Sequence, residues 1–164
     1  MNETYFEILV NKKTSPMLKI AQIATAALTV VCALAMLLGF VWGIVLAAVF
    51  ALACYFVTLF SVVEYEYLYV DKELQIDRIL SRSKRKHMLT LDLKQLEILA
   101  PVRSHELDRY RNGKQEILDY SSGEDDYNKV KYMVIVGDKK VIFEPTEDLV
   151  KTIQMFAPRK VFTY

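Results

Sequence analysis

The sequence predicts an α+β protein: a two-helix transmembrane hairpin, then a bent β-barrel or sandwich of about seven strands with a C-terminal helix. Three observations carry this. The 44 residues from Ile20 to Val63 contain no Asp, Glu, Lys or Arg, so all 21 basic and 20 acidic side chains fall in residues 1–19 and 64–164. From Glu64 onward, short alternating runs rich in tyrosine and branched residues are separated by turn residues, the mark of strands. After Thr146 the apolar period lengthens from two to between three and four, the mark of a helix.

Whole-chain averages hide this division. The chain has 164 residues, 53% apolar and 25% charged, with a net charge of +1 and a mean hydropathy of +0.18. Those values suit one ordinary soluble domain. They exclude a disordered tail, a collagen-like repeat and a disulfide scaffold.

Residues 1–15 form an N-terminal interfacial segment in which Tyr5, Phe6, Ile8, Leu9 and Val10 mix with Glu3, Glu7, Lys12 and Lys13. It reads either as a short helix lying at the interface or as a strand docked on the later domain. Ser15-Pro16 is a helix start, a cap residue before a first-turn proline.

Residues 16–63 form the hairpin. Crossing a hydrocarbon core of ~30 Å takes about 20 apolar residues, so a run of 44 suits two spans, 20–38 and 44–63. Gly39 and Gly43 bracket the turn, and Trp42 sits there at headgroup level. The soluble alternative, a buried helical hairpin, would alternate polar and apolar faces, and this run does not. A signal peptide would have an apolar core of about 7–15 residues; here the apolar run continues well past Ala33-Leu34-Ala35. No ionisable group marks a transport path, and the alanines suit close helix packing, so the spans read as an anchor. Cys32 and Cys54 are small buried residues and imply neither a disulfide nor a metal site. Lys12, Lys13 and Lys19 before the first span, with Lys72 and the basic residues from Arg78 after the second, place both termini in the cytoplasm by the positive-inside rule.

Residues 64–164 form the cytoplasmic domain, with 18 basic and 18 acidic side chains. Glu64–Val70 and Glu73–Ile79 alternate around a turn at Asp71-Lys72, which would pair Tyr69 with Leu74 and Tyr67 with Ile76. Further strands are expected at Lys86–Leu93, Gln95–Ala100 and Gln115–Tyr120, with a turn at Asn112-Gly113. Asn128–Val136 and Lys139–Glu144 make a hairpin across Gly137-Asp138. Thr146 caps a helix carrying Glu147 and Asp148 in its first turn, where the helix dipole favours acids. The helix ends at Ala157-Pro158, and Arg159–Tyr164 adds a short extended tail.

Seven strands closed by one helix is the layout of a pleckstrin-homology-like (PH-like) domain. The chain resembles a family of small bacterial membrane proteins with two N-terminal transmembrane helices and a PH-like cytoplasmic domain. The resemblance rests on Glu3-Thr4-Tyr5-Phe6-Glu7, Leu74–Ile79, Ser83–Lys86, Glu97–Pro101, Phe143-Glu144-Pro145 and Pro158–Phe162. It implies architecture and a cell-membrane location, and it brings no catalytic residues with it.

The strongest local motif is basic: Arg78, Arg82, Lys84, Arg85 and Lys86, with no acid between Arg78 and Leu91. The first strand runs about 7 residues, or ~23 Å at ~3.3 Å each, away from the bilayer and then turns back. The loop at 81–86 is thereby returned to the membrane surface, where each basic side chain gains about 1 kcal/mol from anionic lipid. The motif reads as a lipid- or partner-binding site, against the plainer reading of a solvated loop that sets topology. Nucleic acid is a poor fit to a neutral domain.

The acidic counterpart, Glu116, Asp119, Glu124, Asp125 and Asp126, lacks EF-hand spacing and reads as a solvated loop. His87 and His105 have no zinc-spaced partner, and no phosphate loop, Walker motif or nucleophile elbow is present. No cofactor, metal or enzyme activity is expected. The expectation is a membrane-anchored cytoplasmic binding module contacting anionic headgroups, a protein partner, or both. The alternative is an accessory subunit of a membrane transport or cell-envelope complex acting through its transmembrane helices.

Overall fold

A computed structural model describes residues 5–81, 83–111, 116–124 and 129–163. The expected turn at Asn112-Gly113, Arg82 of the basic motif, and Asp125 and Asp126 of the acidic loop lie outside the described residues.

The N-terminal segment is a strand, β1 (Phe6–Asn11), and it precedes helix α1 (Pro16–Leu37). Helix α2 (Gly43–Ser61) runs back beside α1. At ~1.5 Å per residue the two helices are about 33 and 28 Å long, enough to cross a hydrocarbon core. The rest of the chain buries almost none of either helix. A core helix of a soluble protein would be covered, whereas large exposed apolar surfaces call for lipid or a partner. The helices meet closely at Gly43, where a Cβ would stand 2.8 Å from the Cys32 carbonyl oxygen and 3.0 Å from the Met36 amide nitrogen. Further along, the Gln22 amide donates to the Thr58 hydroxyl at 3.1 Å.

The remaining strands form two sheets. Strands β2 (Val63–Val70), β3 (Glu73–Leu80) and β4 (Lys84–Asp92) join β1 in the antiparallel order β1-β2-β3-β4. Strands β5 (Leu96–Pro101), β6 (Ile117–Asp119), β7 (Tyr132–Val136) and β8 (Lys139–Phe143) form the second sheet in the order β5-β7-β8-β6. Tyr69 pairs with Leu74 and Tyr67 with Ile76, the register that the alternation predicts. Asp71 and Lys72 adopt φ of 49° and 68°, left-handed at both central positions, which matches the twist of a two-residue hairpin.

Two boundaries differ from expectation. Strand β4 begins at Lys84, because the ladder with β3 extends to Leu80↔Lys84; the loop expected at 81–86 is therefore a turn of residues 81–83. Strand β7 begins at Tyr132.

Tyr65, Tyr67 and Tyr69 of β2 face inward onto Leu74, Ile76, Leu91, Val134, Val141 and Phe143, all in one buried cluster. The Tyr67 hydroxyl donates to the Tyr120 carbonyl at 2.5 Å, and its ring meets Phe143 edge-on. Burial pushes the Tyr67 phenol well above its ordinary pKa. Helix α3 (Asp108–Arg111), the shorter helix of the domain, follows a single turn at 105–107. Helix α4 (Glu147–Phe156) starts as expected, with the Thr146 side chain accepting from the Leu149 amide, and it lays Leu149, Val150 and Ile153 into the core. Val161 then bridges to Leu99 in parallel, so the tail is tied to β5.

Candidate functional site

The β-domain is fastened to the helical hairpin at three points. Val62 alone separates the end of α2 from β2. The last carbonyls of a helix have no partner within it, and here the domain provides some. The Ser81 amide donates to the Val62 carbonyl at 2.9 Å, the Ser81 hydroxyl donates to the Leu59 carbonyl, and the Thr14 hydroxyl donates to the Ser61 carbonyl at 3.3 Å. The β3–β4 turn is therefore level with the end of α2.

The register places the basic residues from there. Val63 stands opposite Leu80, and Leu80 opposite Lys84. One row further along, Val10, Tyr65, Arg78 and Lys86 stand opposite one another in turn. Cross-strand partners share a face, so Arg78, Lys84 and Lys86 lie together on the inward face at the end of the sheet next to the helices. All three are exposed. Lys12 joins them from β1's side: its ammonium donates to the Tyr65 hydroxyl at 3.1 Å and lies 5.4 Å from the centre of that ring. Among the described residues no carboxylate pairs with Arg78, Lys84 or Lys86.

Arg85 is placed differently. The ladder slips between Ile76 and Asp77, where Ile76 faces Leu89 but Asp77 faces His87. That bulge at Met88 reverses the alternation. Arg85 and His87 therefore turn to the outer face. There the Arg85 guanidinium meets the Glu66 carboxylate at 2.7 Å and Asp77 at 4.0 Å, and the His87 ring meets Asp77 at 2.8 Å. Glu66 is only 3% exposed, and burial raises its pKa while Arg85 opposes the rise. The basic motif is thus split: Arg78, Lys84 and Lys86 converge on one face, Arg85 is engaged by acids on the other, and Arg82 lies outside the described residues.

The sequence reading missed these partners because they are distant in the chain: Glu66 precedes Arg85 by 19 positions. It also missed Ser81 as a fastener. The signal available was a single serine at the tip of the β3–β4 connection, held at a φ of 52°. Among the described residues no three His, Cys, Asp or Glu side chains gather as a metal site.

Two apolar helices bearing a bent two-sheet domain closed by one helix define a membrane-associated PH-like protein. A family model described as a bacterial PH-like domain, DUF6106, matches residues 2–163. The chain belongs to that family, and the match takes in the helical hairpin as well as the β-domain. No curated protein and no solved structure matches it. PH-like domains are generally binding modules for lipids or proteins rather than catalysts.

Proposed function

We propose that the protein is a membrane-anchored binding module whose β-domain rests its basic end on the anionic cytoplasmic leaflet. The observation that carries this is the gathering of Arg78, Lys84 and Lys86 on one exposed face, level with the end of α2. A sheet that aligns like charges side by side is less stable for it, and an anionic surface offsets that repulsion. Each basic group near such a surface contributes about 1 kcal/mol. Lys12 and its neighbour Lys13 extend the same surface. Arg85 acts as a strut: its ion pairs to Glu66 and Asp77 hold β4 against β2 and β3. Strand β1 before α1 and β2 after α2 are neighbours in one sheet, so two spanning helices return both chain ends to one side. The lysines flanking the helices make that side the cytoplasm.

The test is lipid retention. The full chain is purified in mild detergent from membranes containing phosphatidylglycerol, and co-purifying lipid is quantified against a variant carrying Arg78→Gln, Lys84→Gln and Lys86→Gln. The proposal expects the variant to retain several-fold less phosphatidylglycerol and an unchanged amount of phosphatidylethanolamine. Equal retention of phosphatidylglycerol contradicts it.

A further inference from the structure

The second surface lies away from the basic end. Strand β1 is at the edge of its sheet. The Lys12 amide donates to the Val63 carbonyl at 2.9 Å, so Lys12, Val10, Ile8 and Phe6 spend their backbone groups on β2 in the alternating antiparallel pattern. Glu7, Leu9 and Asn11 therefore turn their N–H and C=O groups outward. The Lys13 amide follows the same alternation and already donates outward, to the Ser122 carbonyl at 2.7 Å. Among the described residues no strand pairs with the outer edge of β1.

Beside that edge lies a cleft of ≈ 880 Å³ between β1, the start of β7 and α4, within the size range of ligand pockets. Ile8, Val10, Val130, Tyr132 and Val150 give it an apolar lining. Glu124 and Glu147 on its rim are paired with Lys129 and Lys151 at 3.7 and 3.6 Å. Glu144 also borders the cleft, and it differs from the rim acids. It is only 6% exposed. One carboxylate oxygen accepts from the Ser122 amide at 3.1 Å and from the Ser122 hydroxyl at 2.7 Å, and the other has no partner. A buried acceptor left unsatisfied costs roughly 1–3 kcal/mol, so the cleft carries an unfilled demand for a donor, and no basic side chain of the described chain meets it.

We infer that this cleft binds an extended peptide segment that adds a strand to the outer edge of β1 and directs a lysine or arginine side chain to Glu144. Outward backbone groups recurring at every second residue are matched by another extended backbone. The apolar lining takes the neighbouring side chains, and the unpaired carboxylate oxygen sets the basic preference. This surface is separate from the lipid-facing one and does not depend on it.

The experiment uses the full chain in phosphatidylcholine nanodiscs, which present no anionic lipid and so leave the lipid reading out of the outcome. The probe is a positional-scanning mixture of blocked nonapeptides in which one position at a time is fixed as Lys, Arg, Glu or Leu. Retention of Lys or Arg over Glu at one interior position is expected to be at least five-fold. Glu144→Gln, which keeps an acceptor for Ser122, brings that ratio to about one. Leu9→Pro removes an outward N–H while leaving the bonds to β2, and it lowers retention of every peptide several-fold. No retention at any fixed residue overturns the inference, as does a ratio unchanged in Glu144→Gln, which would mean that solvent alone fills the acceptor. A dimer of the unliganded chain that is lost in Leu9→Pro would assign the edge to a second copy, and that also overturns it.

Discussion

Arg78 and Lys86 stand directly opposite one another across the β3–β4 ladder, two like charges in one row. Lys84 follows on the same face. Opposite-charge pairs in such positions contribute roughly 0.2–1 kcal/mol, and like charges work against the sheet. Arg78→Glu is therefore expected to stabilise the β-domain by about 0.2–1 kcal/mol in nanodiscs without anionic lipid, while reducing the retention of phosphatidylglycerol. Urea unfolding followed by circular dichroism reads the first effect. A loss of stability would show that the row is not in repulsive contact.

Ser81 couples the same turn to the membrane helices. Ser81→Ala removes the hydroxyl that reaches the Leu59 carbonyl but keeps the amide bond to Val62. A typical hydrogen bond contributes about 0.5–1.5 kcal/mol, and losses of that size are expected for the β-domain of the full chain. Amide exchange at residues 80–84 is expected to rise as the turn loosens from α2. Unchanged exchange would mean that Thr14 and the chain connection alone hold the domain in place.

The buried Glu66 makes a pH signature. Its folded-state pKa is raised above the ordinary 4.5, chiefly by burial. The folded state thus holds this proton more tightly than the unfolded one, and the stability from that preference is fully present below about 4.5. It is lost as pH rises through the higher folded value. Glu66→Gln cannot ionise, so the difference in stability between wild type and variant is expected to shift in the variant's favour as pH rises across that window. Melting curves from pH 4 upward check it, and a difference independent of pH would show that Arg85 fully compensates the burial.

How much of this was legible in the sequence differs by element. The β2–β3 hairpin was readable to the residue, because a two-residue turn and strict alternation leave one register that buries Tyr67 and Ile76. The capped α4 was equally readable, since Thr146 and the following acids are local signals. Strand β1 was ambiguous: six residues are too few to separate an interfacial helix from a strand, and the partner that settles it, β2, lies more than 50 positions away. The start of β4 was hidden because Lys84, Arg85 and Lys86 have no strand signature of their own and are drawn into the ladder by β3. Least legible was the bulge at Met88. A slip of one residue depends on packing against the core, yet it decides which basic side chains converge and sends Arg85 to Glu66.

The lipid-facing end of the sheet is the centre of this account, and lysine reactivity tests it most directly. The full chain is placed in phosphatidylcholine nanodiscs with and without phosphatidylglycerol and treated with a membrane-impermeant acetylating reagent, and mass spectrometry reads each lysine. Lys84 and Lys86 are expected to react several-fold more slowly when the anionic lipid is present, with the difference removed by high salt. Lys72, at the far turn of the β2–β3 hairpin, is expected to react equally in both. Equal rates at Lys84 and Lys86 in the two membranes would contradict the proposal that the sheet rests its basic end on the bilayer.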